Sequence, residues 1–396
     1  MLLVAPFPAS AGLRGGLLLL SAGALVALLI RTRTWTLIYL PSRMYMWAAA
    51  LWIFSVALFS AVSPDPQTSL SGWRGNVLTP VLACVVFYLL TKDRRALIGF
   101  SAVLLIGLTA LSAMVVQDPF GREDPFHTHT SLYGGVGRVS IWFATLAPLL
   151  PLVWFAPRRW RIVARAGCGV AVLAILVGTW YTGNRAAWVC YAAMLIVGAV
   201  AAFWSTEPRR ISFRALIVLV SLLIISLAGF YASSIYRANL HTNNRDAPIE
   251  FLLKDNRAPI WRAAIQMIAE KPWTGHGYDL DSVGDNFTKR LSEPDLRDWI
   301  RHAHNVLLDY AIQMGVFAAA ILAILFVTLF VEFWRLAASK RTERDQLARV
   351  AAICGMALVT GVFMRNMVDD FFSRHMVLLF GAVLGMLLGI ANRGQR

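Results

Sequence analysis

Long apolar runs separated by short charged connections recur along the whole chain. They lie near residues 12–30, 44–62, 77–91, 96–116, 139–157, 162–182, 186–204, 215–234, 305–333, 349–366 and 375–391. Most can cross a hydrocarbon core about 30 Å thick as an α-helix rising about 1.5 Å per residue. The pattern predicts an all-α polytopic membrane protein with eleven spans, or twelve if Trp35 to Leu40 belongs to a short further one. One polar interruption breaks the rhythm. It divides the chain into N-terminal transmembrane helices over 1–234, a loop domain over 235–304 and three C-terminal transmembrane helices over 305–396.

The charges then orient the spans. One set of connections holds Arg31, Arg33, Arg43, Lys92, Arg94, Arg95, Arg158, Arg159, Arg161, Arg209, Arg210, Arg214, Arg335, Lys340, Arg341, Arg344, Arg393 and Arg396. The alternate set holds only Arg74, Arg122, Arg138, Arg185, Arg365 and Arg374. Lys and Arg are retained on the cytoplasmic side, so eighteen against six places the first set in the cytoplasm and the loop domain on the opposite face. The formal net charge of +15 follows from this topology and calls for no nucleic-acid partner. All seven histidines fall in or at the edge of outer connections, which concentrates acid–base chemistry on that side. Cys84, Cys168, Cys190 and Cys354 all lie within spans, without a C-x-x-C pair, and read as small core residues. The first apolar run lacks a small-residue cleavage pattern and reads as a retained helix.

The loop domain is balanced in charge, with ten Lys and Arg against ten Asp and Glu over 235–301, and too long for a structureless connection. Ile260, Trp261, Ala264, Ile265 and Ile268 recur at helical spacing and predict an amphipathic helix near the outer membrane face. Asp255 or Asn256 can cap it, Pro259 suits its first turn, and Lys271-Pro272 with Gly275-His276-Gly277 ends it.

Several polar side chains at this outer edge are candidates for chemistry. His304, in Arg301-His302-Ala303-His304-Asn305, begins the ninth predicted span, on a helical face shared with Leu308, Ala311 and Gly315. The positive end of a helix disfavours imidazolium, so a histidine there stays neutral and can take a proton from a hydroxyl nucleophile. Against this stands a simpler reading, in which both histidines satisfy loop carbonyls. Arg185, in the tight hairpin Thr182-Gly183-Asn184-Arg185, is either a phosphate ligand or a residue snorkelling to the headgroups. Arg257 sits in the cap region of the amphipathic helix, beside free N–H groups that favour anions, and is a better phosphate candidate than Arg262 five residues on. His127-Thr128-His129 and His302-Ala303-His304 could bring four imidazoles to a metal. Alternating spacing, a Gly-rich loop and the absence of cysteine argue against one, and no metal or cofactor is expected.

Arg257-Ala258-Pro259-Ile260-Trp261, then Pro272 with Gly275-His276-Gly277, then His304-Asn305 with Leu308 and Gly315, resembles the core of a superfamily. It comprises O-antigen ligases, O-antigen polymerases and O-oligosaccharyltransferases. The doubled histidine in His302-Ala303-His304-Asn305 is most similar to the ligases. The resemblance covers residues 180–330 by motif, and the whole chain by span count and its single large outer loop. It implies a membrane glycosyltransferase of the GT-C type. Such an enzyme transfers O-antigen polysaccharide from undecaprenyl pyrophosphate to a sugar hydroxyl of lipid A-core on the periplasmic face, without metal, to complete lipopolysaccharide.

By the same resemblance His304 is the general base and Arg185 and Arg257 bind the donor pyrophosphate, with His302, Asn305, Arg262 and Arg301 in support. One departure is that the family's arginine after the sixth span often follows Ser or Thr, and here it follows Asn184. A polymerase of O-antigen or exopolysaccharide repeats shares the donor chemistry and is the alternative enzyme. A polysaccharide lipid transporter is the alternative of another class, although duplicated halves and polar residues at mid-span, which such proteins show, are not apparent.

Overall fold

The structure is a computed structural model. It describes residue 2 and residues 11–32, 40–91, 93–117, 136–205, 213–242, 257–292, 294–297, 300–340, 345–368 and 374–393. The protein is an all-α polytopic membrane protein, with no strand among the described residues. Its N-terminal helices are α1 (Ala11–Thr32), α2 (Arg43–Ala61), α3 (Pro66–Trp73), α4 (Thr79–Leu90), α5 (Arg94–Gln117), α6 (Val136–Leu146), α7 (Arg161–Tyr181), α8 (Arg185–Ser205) and α9 (Phe213–Thr242). A shorter group, α10 (Arg257–Glu270), α11 (Leu280–Thr288), α12 (Pro294–Arg297) and α13 (Val306–Met314), precedes the final α14 (Val316–Ala337), α15 (Gln346–Asn366) and α16 (Arg374–Arg393).

Nine stretches among the described residues are long and apolar enough to cross a membrane, fewer than the eleven or twelve expected. Two expected spans appear as shorter apolar stretches, Gly12–Ala27 and Val139–Phe155. In the second, Pro148 and Pro151 each lack an N–H donor, and α6 gives way to a 3₁₀ segment over Ala147–Phe155. The Trp35 to Leu40 stretch lies outside the described residues apart from Leu40, and so do Asp255 and Asn256.

Contacts gather the two sets of connections at opposite ends of the bundle. At one end Glu332 accepts hydrogen bonds from the Ser42 backbone (3.0 Å) and from Arg335 (2.9 Å). There also Arg94 donates to the carbonyls of Phe155 and Ala156. At the other end the Ser69 hydroxyl donates to the Tyr278 carbonyl at 2.9 Å, so the segment between α2 and α4 meets the loop domain.

Two close helix pairs hold the bundle. Gly381, Gly385 and Gly389 form a stripe on α16, and a methyl group on any of them would overlap the carbonyl oxygens of Pro80, Cys84 or Tyr88 on α4. Such small-residue stripes let helix backbones meet where lipid offers no hydrophobic drive. α8 runs antiparallel to α15, with Met194 against Gly361 and Gly198 beside Ile353. Extended outward, that register brings Arg185 level with the turn that follows α15.

The ninth span, expected as one helix over 305–333, is two helices broken at Gly315. Gly315 has φ 87°, a conformation that favours glycine, and a side chain there would overlap the Trp273 carbonyl. Carbonyls released by the break are taken up again by the loop after α10. His276 N–H donates to Ile312 (2.9 Å), Gly277 N–H donates to Gln313 (3.0 Å), and Val316 N–H donates to the Pro272 carbonyl (2.8 Å). This accounts for Pro272 and Gly275-His276-Gly277: they cap a helix break 40 residues away.

α13 therefore packs with the loop domain. Its Ile312 enters a separate core with Ile260, Ala264 and Met267 of α10, Phe287 of α11 and Ile300. α10 ends at Glu270, as Lys271-Pro272 predicts, but its buried face runs through Ile260, Ala263, Ala264 and Met267, leaving Trp261 and Ile265 exposed. Arg290 grips the Glu270 carboxylate with two hydrogen bonds (3.0 and 2.6 Å), tying α10 to the end of α11 and holding that carboxyl below its usual range.

Candidate functional site

The site forms where α10 and α13 begin and α15 ends. Asn305 is the N-cap of α13. Its Oδ1 accepts the N–H groups of Leu307 (3.0 Å) and Leu308 (3.2 Å), while its Nδ2 donates to the Met367 carbonyl at 3.3 Å. Asn305 thus fastens the start of α13 to the end of α15. Arg257 opens α10, and its Nη2 donates to the next carbonyl, Val368, at 3.2 Å. Neighbouring carbonyls of one turn therefore hold Asn305 and Arg257, and through them the adjoining His304.

His304 lies outside the helix, which corrects the expectation that it shares a face with Leu308, Ala311 and Gly315. It precedes the cap, with φ 50°, a left-handed conformation costing a non-glycine residue about 1–3 kcal/mol. Such strain is characteristic of functional positions. A continuous helix would set His302 about 200° away around the axis, but its ring centroid lies 4.1 Å from that of His304, the planes inclined at 51°. The backbone N–H of His304 donates to His302 Nδ1 at 3.2 Å, so the turn itself folds one imidazole over the other.

Behind this pair stands Asp309, which the sequence reading missed. Its carboxyl is 2% exposed. Oδ1 accepts the Ala303 N–H at 2.7 Å and Oδ2 lies 3.5 Å from His302 Nδ1. The available signal was an acidic residue inside the apolar run Val306 to Met314, where burying a charge is costly without a partner.

Arg185 opens α8 and is half-buried. Asn184 Oδ1 accepts the Ala186 N–H at 3.1 Å, doing the capping work of a Ser or Thr, which makes the departure at this position chemically conservative. Arg365, 1% exposed near the end of α15, directs Nη2 at the Ser140 hydroxyl (3.4 Å), while the nearby acids Asp369 and Asp370 lie outside the described residues. Two supporting candidates are not gathered. Arg301 is exposed and pairs with Asp285, and Arg262 is exposed on α10, about 140° round the helix from Arg257. Among the described residues no group of three or more His, Cys, Asp or Glu stands together as a metal site, and His127 and His129 lie outside them.

The arrangement combines an imidazole pair, a buried carboxylate and guanidinium groups at one end of a helical bundle. It suits proton removal from a hydroxyl beside a phosphate-bearing group. A stretch of 59 residues is 34% identical to a general O-oligosaccharyltransferase of Acinetobacter baylyi, covering 15% of this chain and 10% of that relative. Residues 170–323 match the family model described as O-antigen ligase. Arg185, Arg257, His302, His304, Asn305 and Asp309 all fall within that match, so the segment carrying them is similar to the O-antigen ligase family.

Proposed function

We propose that the protein is an O-antigen ligase of the bacterial inner membrane. It takes a glycan from undecaprenyl pyrophosphate and transfers it to a sugar hydroxyl of lipid A-core on the periplasmic face. The observation that carries this reading is that His304, through its neighbour Asn305, and Arg257, all within the matched segment, converge on the turn at Met367 and Val368 beyond it. In the proposed step the acceptor oxygen forms a bond to the anomeric carbon and its proton passes to His304. The bond from that carbon to the pyrophosphate oxygen breaks, with its electron pair leaving on the phosphate and the configuration inverting. Arg257 and Arg185 receive the developing negative charge, a task for which planar guanidinium groups are suited.

The test is transfer by the purified protein. Given undecaprenyl-pyrophosphate-linked glycan and lipid A-core, it should yield glycan-capped core in excess chelator. Loss of product on chelation, with recovery on adding one divalent ion, would overturn the arginine-based account. Donor joined only to donor would mark a polymerase.

Sidedness has its own test. A cysteine placed at Asn286, exposed on α11, should react with a membrane-impermeant thiol reagent in intact spheroplasts. Reaction only after the membrane is opened would put the site on the cytoplasmic side.

A further inference from the structure

We propose that Asp309 is a positioning residue that acts through His302, holding the two imidazoles together and balancing the positive charge that His304 acquires. This rests on the reading of His304 as the base. The geometry sets two demands on His302 Nδ1. It accepts the His304 N–H at 3.2 Å, yet it also lies 3.5 Å from Asp309 Oδ2, a buried atom that accepts no hydrogen bond among the described residues.

A neutral His302 with its proton on Nε2 meets the first demand and leaves the carboxylate oxygen facing a lone pair. A His302 carrying a proton on Nδ1 meets the second. Buried carboxylates are costly unless paired, so Asp309 favours a proton on the histidine pair. Two rings 4.1 Å apart accommodate one positive charge far better than two. The proton leaving the acceptor hydroxyl for His304 therefore arrives where one negative charge already waits. No further reactant is needed for this balance.

Among the described residues, the other charged groups that surrounding elements bring to this end include Arg257 and Arg262 on α10, the Arg301–Asp285 pair, Arg365 on α15 and Arg185 on α8. Asp309 is the buried carboxylate among them. A purely structural role is the competing explanation. Asp309 sits in the first turn of α13, where an acid suits the helix dipole, and its Oδ1 closes the loop onto Ala303. That role predicts lost stability and an unchanged pH profile.

The test uses purified full-length protein with undecaprenyl-pyrophosphate-linked oligosaccharide and lipid A-core. Rates are measured against pH for the wild type, Asp309→Asn, Asp309→Glu, His302→Ala and the double variant. Asp309→Asn should lower kcat at least about tenfold, part of what a general base contributes, with donor KM within about twofold. Removing the negative charge destabilises the imidazolium, which then loses its proton more readily, so the acid limb should move to lower pH by about one unit. Asp309→Glu should recover part of the rate. The double variant should be no slower than His302→Ala, because Asp309 acts through that ring.

If Asp309→Asn lowers thermal stability but the folded fraction keeps the wild-type kcat and acid limb, the positioning role is wrong. It is equally wrong if the two losses multiply. Should Asp309→Asn fail to fold, Asp309→Glu with and without His302→Ala carries the same comparison. A wild type that makes no product from this donor, or a fully active His304→Ala, would instead sink the underlying assignment of the base.

Discussion

His304→Ala is expected to lower turnover by roughly a hundred- to ten-thousandfold, the usual contribution of a general base, while leaving donor KM nearly unchanged. The arginines should behave differently. On the proposed reading Arg257 and Arg185 bind the donor phosphates in both ground and transition states, so in Arg257→Ala and Arg185→Ala donor binding and turnover should fall together. Lysine at either position should recover only part, because a point charge cannot reproduce a two-pronged contact. Steady-state kinetics against donor concentration separates the two patterns. His302→Ala should fall between wild type and His304→Ala. A continuous helix would turn His302 away and make its loss mild, but the close, tilted rings make it a partner. An inactive His302→Ala beside an active His304→Ala would transfer the role of base to His302.

Gly315→Ala should destabilise the folded protein by about 2–4 kcal/mol, combining the cost of a left-handed backbone with overpacking against the Trp273 carbonyl. Neither neighbour can relax cheaply. The obstruction is backbone, and that backbone is already held by the hydrogen bond from Val316 N–H to Pro272. Thermal unfolding in detergent measures the loss. Activity should fall with it, because the break at Gly315 sets the direction of α13, which carries Asn305 and Asp309. An alanine variant as stable as wild type would show that the break is not held in this conformation.

The spans were legible because twenty apolar residues in a row have few other uses, and the helix from Arg257 to Glu270 was legible because Pro259 and Pro272 bracket it. Part of the candidate site could also be read, as Arg185 lies in a tight outer hairpin and His304 and Arg257 open apolar helical patterns. What escaped shares one physical cause. Hydropathy measures transfer into an apolar phase, and Ile312 is buried equally well by a small extramembrane core or by a bilayer. The break at Gly315 was therefore invisible in a run that stays apolar on both sides. Asp309 was missed within the same run. The spacing Gly381, Gly385, Gly389 was present to be read, but nothing local specifies that its partner is α4. Nor could the loop residues alone show that Arg257 and Asn305 meet at Met367 and Val368, over a hundred and over sixty positions away.

The glycine stripe on α16 also has a consequence for biogenesis. Its partner surface on α4 is made about 300 residues earlier, roughly 15–60 s at common rates of synthesis. The outer ends of α8 and α10, made within that interval, precede the turn after α15 by about 180 and 110 residues. A ribosome that stalls before residue 366 leaves a chain without α16 and without the turn that gathers the site. Such a chain lacks the carbonyls of Met367 and Val368 that hold Asn305 and Arg257, so the candidate site is assembled only near the end of synthesis.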